Sequence, residues 1–168
     1  SIVMEFAPTA DSISKDYRLV STGEGLDDLV AELRQARRFG MRVLADSASA
    51  MRSSIVGFAF ATGPRQARYV PVAKNGARQT APPQTFGQGL FDADPIDAEP
   101  AGRGLDLQQI LGQLGPILES PDIEKVGHDL KFDTIVLARH GVNIAGLGTD
   151  TMLASYLIDA TRSGHPLE

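Results

Sequence analysis

Lys125-Val-Gly-His-Asp-Leu-Lys-Phe-Asp133, followed by Val136-Leu-Ala-Arg-His-Gly141, is the stretch that decides how this chain folds. Lys125 to His128 reads as a short buried strand, and Leu130 to His140 has the apolar spacing of a helix that stops at Gly141. A strand that feeds straight into a helix is the building unit of an α/β domain. The junction also concentrates charge. Asp129 and Asp133 lie four residues apart on the first helical turn, where they share a face. A helix N-terminus favours anions, so both are expected to be ionised, and ionised oxygens are the ligands that Mg²⁺ or Mn²⁺ require. The same pattern also suits a capping carboxylate beside a solvated one.

On the C-terminal side, Gly148-Thr-Asp150 opens a further helix, Thr151 to Ala160, with Thr149 or Asp150 as its cap. Met152 and Tyr156 sit at helical spacing and read as core, and Asp150 reads as a cap rather than a catalytic group. On the N-terminal side, Leu105 to Leu118 is helical through Leu107, Ile110, Leu111, Leu114 and Leu118. Residues 73–104 carry Gly, Pro, Ala, Gln and acids without periodicity, so a long surface excursion is expected there.

Before the excursion come three β-type runs, Arg42–Asp46, Ile55–Ala61 and Ala67–Val72, with short links that suggest an antiparallel meander. Pro71 puts the third run at a sheet edge or makes Pro71 its end. Gly25 to Phe39 is read as a helix with acids first and arginines last, stopped by Gly40. Residues 1–16 read as a loose segment, with a short strand at Tyr17–Val20. Meander first, then alternating helix and strand, gives an α/β domain with a mixed sheet.

Val43-Leu-Ala-Asp-Ser-Ala48 is the second charged junction. A strand that ends in Asp46 can aim a metal ligand, or Asp46 can begin an Asx-turn into Ser47 and Ser49. Lys131, Arg139 and Arg162 could touch phosphates, although lone basic side chains are usually solvated.

Composition sets outer limits. The chain of 168 residues has no cysteine, which excludes disulfides, thiolate metal sites and cysteine nucleophiles and suits a reducing cytoplasm. Its three histidines are scattered, which argues against a histidine zinc site. A net charge of −5 is the wrong sign for holding DNA by bulk electrostatics, but it is compatible with a carboxylate and divalent-cation site. There is no apolar run of membrane length and no signal-peptide pattern, so no membrane partner is expected. Ser1 at the start suggests a fragment, and Leu167-Glu168 a cloning scar.

Lys125 to Asp133 and Asp150-Thr-Met-Leu-Ala-Ser-Tyr156 resemble the 3′–5′ exonuclease (proofreading) domain of bacterial family-A DNA polymerases. The strand pair Ile55–Ala61 and Ala67–Val72 matches in order and spacing, so the resemblance covers residues 17–166 apart from 73–104. It implies a ribonuclease-H-like fold with a mixed central sheet flanked by helices. It also implies a two-metal hydrolysis of DNA 3′ ends with Mg²⁺ or Mn²⁺, single-stranded DNA as substrate, and a polymerase domain in the same parent chain.

The family supplies Asp-x-Glu from its first strand, Asp from the second motif and Asp from a later Tyr-x-x-x-Asp motif, which is expected beyond Glu168. Carried over, Asp46 and Asp133 are the metal ligands and catalytic residues, and Phe132 and Asp129 neighbour the substrate. Ala48 stands where the family has Glu, and Asp129 where it has Asn. The expectation is therefore an impaired or inactive exonuclease domain. The alternatives are a retired domain kept as polymerase scaffold and a related 3′–5′ ribonuclease.

Overall fold

A computed structural model describes residues 15–73, 104–162 and 164–166. Among these described residues ten elements follow one another: β1 (Asp16–Leu19), α1 (Gly23–Ala36), β2 (Arg38–Ala45), β3 (Ile55–Gly63), β4 (Gln66–Pro71), α2 (Leu107–Leu118), β5 (Glu124–Gly127), α3 (Leu130–Arg139), β6 (Leu147–Asp150) and α4 (Thr151–Ile158). The strands form one mixed sheet in the order β1-β4-β3-β2-β5-β6. β2, β3 and β4 are the expected antiparallel meander, and β5 and β6 extend it in parallel. Among the described residues no helix is long and apolar enough to cross a membrane.

α1 starts at Thr22, whose hydroxyl accepts from the Gly25 N–H at 3.1 Å, and it buries Leu26, Leu29 and Leu33 on one stripe. It ends earlier than the sequence suggested. Arg37 takes the left-handed conformation (φ 56°) and closes the helix, and Phe39 and Gly40 already belong to β2. The reason is a change of period. Phe39, Met41 and Val43 are buried alternately and so face one side of a strand. Phe39 meets Phe60 edge-on at 5.8 Å, and Met41 and Val43 lie opposite Phe60 and Phe58 in the ladder.

Of the two readings of Pro71, the second is realised. It is the last residue of β4, which is covered on its outer side by β1 in parallel. Most of the expected excursion (residues 74–103) and the loose segment 1–14 lie outside the described residues. Its two ends are held together, with Ala73 N–H donating to Leu105 O at 2.8 Å and Leu105 N–H to Pro71 O at 3.0 Å. Leu105 therefore sits in a bridge, and α2 begins only at Leu107. Its cap Asp106 accepts from the Gln108 and Gln109 N–H groups. β6 was not anticipated, and α4 ends at Ile158 rather than Ala160.

Lys125 is fully buried in β5, and its ammonium donates to Ser120 O at 2.6 Å. Burial lowers its pKa below the usual lysine value. The unfolded chain then binds the extra proton just below pH 10.5, so stability rises with pH in that window. Urea unfolding at pH 7 and pH 10 is expected to show this gain in the wild type. Lys125→Met, which removes a buried charge at similar volume, is expected to show none.

Candidate active site

The site lies where the C-terminal ends of β2 and β5 meet the N-terminus of α3. A parallel register that pairs Arg38–Gly40 with Glu124–Val126 brings Arg42 beside the β5–α3 junction. Phe39, Met41 and Val43 face the core, so Arg42 and Leu44 point to the opposite face. Arg42 reaches across the junction. Its Nη1 donates to His128 O at 2.6 Å and to Asp129 O at 3.4 Å, and it lies 3.5 Å from Asp133 Oδ1. The guanidinium also sits 5.1 Å from the centre of the Phe132 ring. Its side chain remains 39% exposed, whereas that of Asp133 is 0% exposed.

Asp133 is not the freely ionised carboxylate expected at a helix start. Neither of its oxygens has a hydrogen-bond partner. Burial pushes its pKa up to about 7, which the Arg42 charge and the loosely placed Val43 N–H only partly reverse, while Asp129 and Asp150 add to the rise. Desolvation outweighs the helix dipole here.

A carboxyl raised in this way binds a proton in the folded state between pH 3.8 and about 7 that the unfolded chain has released. It therefore lowers stability as pH rises through that window and leaves the full penalty above it. Denaturant midpoints at pH 5 and pH 8 check this. Asp133→Asn, which cannot ionise, is expected to unfold with a smaller loss between the two pH values than the wild type.

Asp129 does not join Asp133 on the first turn. It precedes the helix in the left-handed conformation (φ 61°), and its carboxylate caps Phe132 N–H at 3.3 Å. Asp46 lies past a bulge at Leu44/Ala45 and is exposed. Its N–H donates to Ser54 O and its Oδ1 accepts from Ser54 N–H at 2.8 Å, so it closes the 46–54 loop. Arg139 secures that loop to α3 by donating to Ala50 O and Ser53 O. Ala48 is an exposed residue of the same loop.

Asp150 is a double cap. It accepts from Asp129 and Leu130 N–H at the start of α3 and from Met152 and Leu153 N–H at the start of α4. Thr151 adds a link, donating to Gly127 O and pairing with His128 Nδ1. The reading of Met152 and Tyr156 as core fails, because α4 buries no residue and Tyr156 is 53% exposed.

The sequence reading missed Arg42. The available signal was a lone charge inside an otherwise apolar alternating strand.

The fit to a divalent cation is poor. Among the described residues no three His, Cys, Asp or Glu side chains gather where they could hold a metal ion. Asp133, the one buried carboxylate among the described residues, already faces a guanidinium, and like charges repel strongly when poorly screened.

A protein-family model described as 3′–5′ exonuclease, of the family-A DNA polymerase type, matches residues 17–168. The chain belongs to this exonuclease family. DNA polymerase I of Pseudomonas aeruginosa is 30% identical to the domain over 164 residues, covering 96% of this chain and 16% of the relative. DNA polymerase I of Chloroflexus aurantiacus is 28% identical over 151 residues, covering 90% and 13%. The exonuclease-family domain thus spans less than a fifth of the relatives it matches.

Among solved structures it resembles the POL domain of Pol1 from M. smegmatis, with TM-score 0.57, 21% identity, and coverage of 89% of this chain and 21% of that one. It also resembles Escherichia coli RNase D, with TM-score 0.53, 15% identity, and coverage of 84% and 29%. The fold is the expected ribonuclease-H-like one. Family members are nucleic-acid nucleases that depend on metal in general, whereas the described residues of this exonuclease-family domain offer no fitted metal cluster.

Proposed function

We propose that this chain is the exonuclease-type domain of a DNA polymerase I in which metal-dependent proofreading has been lost, and that it now serves the polymerase as scaffold. The observation that carries this reading is the Arg42 guanidinium 3.5 Å from Asp133. The family resemblance calls for Asp-x-Glu on the first strand, two residues on one face opposite the second motif's Asp. On β2 the side chains on the face of Asp133 are Arg42 and Leu44, whereas Asp46 and Ala48, which match the motif in sequence, lie past the bulge in the loop. Asp46, the ligand expected from the sequence, is engaged in its loop.

On this reading Asp133 keeps its family position without its partners. Arg42 supplies the positive charge that cations would bring, and it neither ionises water nor stabilises a leaving 3′ oxygen as a metal does. Asp129 does not replace the missing ligand, because its carboxylate caps α3. Phe132 lies under Arg42 rather than free for a terminal base.

The test is degradation of 5′-labelled single-stranded DNA by the parent polymerase in Mg²⁺ or Mn²⁺. No shortening above the level of an Asp133→Ala variant is expected. Metal-dependent 3′–5′ shortening that Asp133→Ala abolishes would overturn the proposal.

A further inference from the structure

A cleft of about 460 Å³ opens at the end of the sheet opposite Arg42, between the C-terminus of α1 and the turn that joins α2 to β5. Arg34 and Arg37 stand on one wall, and Pro116, Ile117, Ser120, Asp122 and Ile123 form the rest. Among the described residues neither guanidinium is in an ion pair. The neighbouring Arg38 is paired to Glu124 at 3.4 Å, which keeps that carboxylate away from them. Asp122 is the single acid of the lining, so two positive charges face one negative charge in a chain of net charge −5. Arg37 is held there in a left-handed backbone conformation (φ 56°) that glycine usually occupies.

We propose that this cleft is a docking site for a short acidic peptide segment that carries an apolar side chain. Charge complementarity selects the acidic part, since guanidinium forks recognise carboxylates. The apolar floor of Pro116, Ile117 and Ile123 selects a neighbouring aliphatic side chain. A nucleic-acid strand fits less well. Single-stranded sites pair positive charge with aromatic platforms, and among the described residues the lining has no aromatic side chain. The volume, at the lower end of ordinary ligand pockets, suits a few residues rather than a folded surface.

The test is fluorescence anisotropy with a labelled peptide Asp-Asp-Glu-Asp-Leu-Leu against the 168-residue domain. A hexathymidylate oligonucleotide and the peptide with serines in place of its leucines serve as comparisons. Saturable binding is expected for the first peptide alone. It should weaken about tenfold in an Arg34→Ala/Arg37→Gly variant, the scale of two rim ion pairs. Glycine keeps the left-handed turn, so an unchanged or raised melting temperature in that variant confirms that the fold survives. Equal binding of the oligonucleotide at the same arginines, equal binding of the serine peptide, unchanged affinity in the variant, or no binding at millimolar domain would each overturn the proposal.

Discussion

Replacing Asp150 with alanine is expected to destabilise the domain by about 3 kcal/mol, because removal of one carboxylate leaves three part-buried N–H donors and one exposed donor without their acceptor. That carboxylate accepts from Asp129 N–H at 3.0 Å, Leu130 N–H at 2.7 Å, Met152 N–H at 2.9 Å and Leu153 N–H at 3.4 Å. It is the cap of α4 and the clasp that fixes where α3 begins. Loss of about 3 kcal/mol lowers the melting temperature by roughly 10 °C in a chain of this size.

The effect depends on pH. Desolvation opposes ionisation of Asp150, but the four N–H donors win and hold its pKa below the usual carboxylate value. Its stabilisation is then fully present above about pH 3.8 and is lost as pH falls through the lower folded value. The gap between wild type and Asp150→Ala in thermal melts is therefore expected to be constant near neutrality and to close in acid. A gap that stayed constant into acid would contradict the clasp.

Gly146→Ala is expected to cost about 3 kcal/mol as well, for a steric reason. Gly146 has φ +66°, and a Cβ there would run into the carbonyl oxygen of Ile123 and stand 3.0 Å from those of Pro121 and Ser120. All three are backbone atoms of the turn that leads into β5, so no side chain can swing aside. The same residue accepts from Lys125 N–H at 2.8 Å, and Ala145 N–H donates to Leu118 O at 3.0 Å. The substitution therefore disturbs the start of both β5 and β6. Urea unfolding measures it. A loss below about 1 kcal/mol, the cost of a left-handed alanine alone, would show that the turn yields.

Much of the architecture was legible because local signals agreed with one another. The Lys125–Asp133 junction, the meander and the helix around Leu114 all carry their own periodicity and caps. Where they failed, two signals overlapped. The helical spacing of α1 runs on to Phe39, but the alternation of Phe39, Met41 and Val43 takes over there, and sheet burial overrides helix propensity. β6, at Leu147–Asp150, packs too little to leave a pattern, since three of its four residues are exposed. Likewise α4 spaces its apolar residues as a helix does but leaves Leu157 84% and Ile158 86% exposed, which spacing alone cannot reveal.

The site was half legible. Asp133 was singled out from its place in the motif, while its burial was not foreseen. Asp46 was chosen because it is the acid nearest the strand end. The residue that faces Asp133 is Arg42, four positions earlier, and only the register of β2 with β5 exposes that difference.

The proposed loss of function requires that Arg42 occupy the place of a metal-binding carboxylate beside Asp133. Calorimetric titration with Mn²⁺ tests it most directly, on the wild type and on an Arg42→Asp/Leu44→Glu variant, with Asp46→Ala and Asp133→Ala as controls. The expected result is no binding by the wild type at millimolar Mn²⁺, and submillimolar binding by the double variant that disappears when Asp133→Ala is added to it. Wild-type binding as tight as that of the double variant, lost in either Asp46→Ala or Asp133→Ala, would contradict the account.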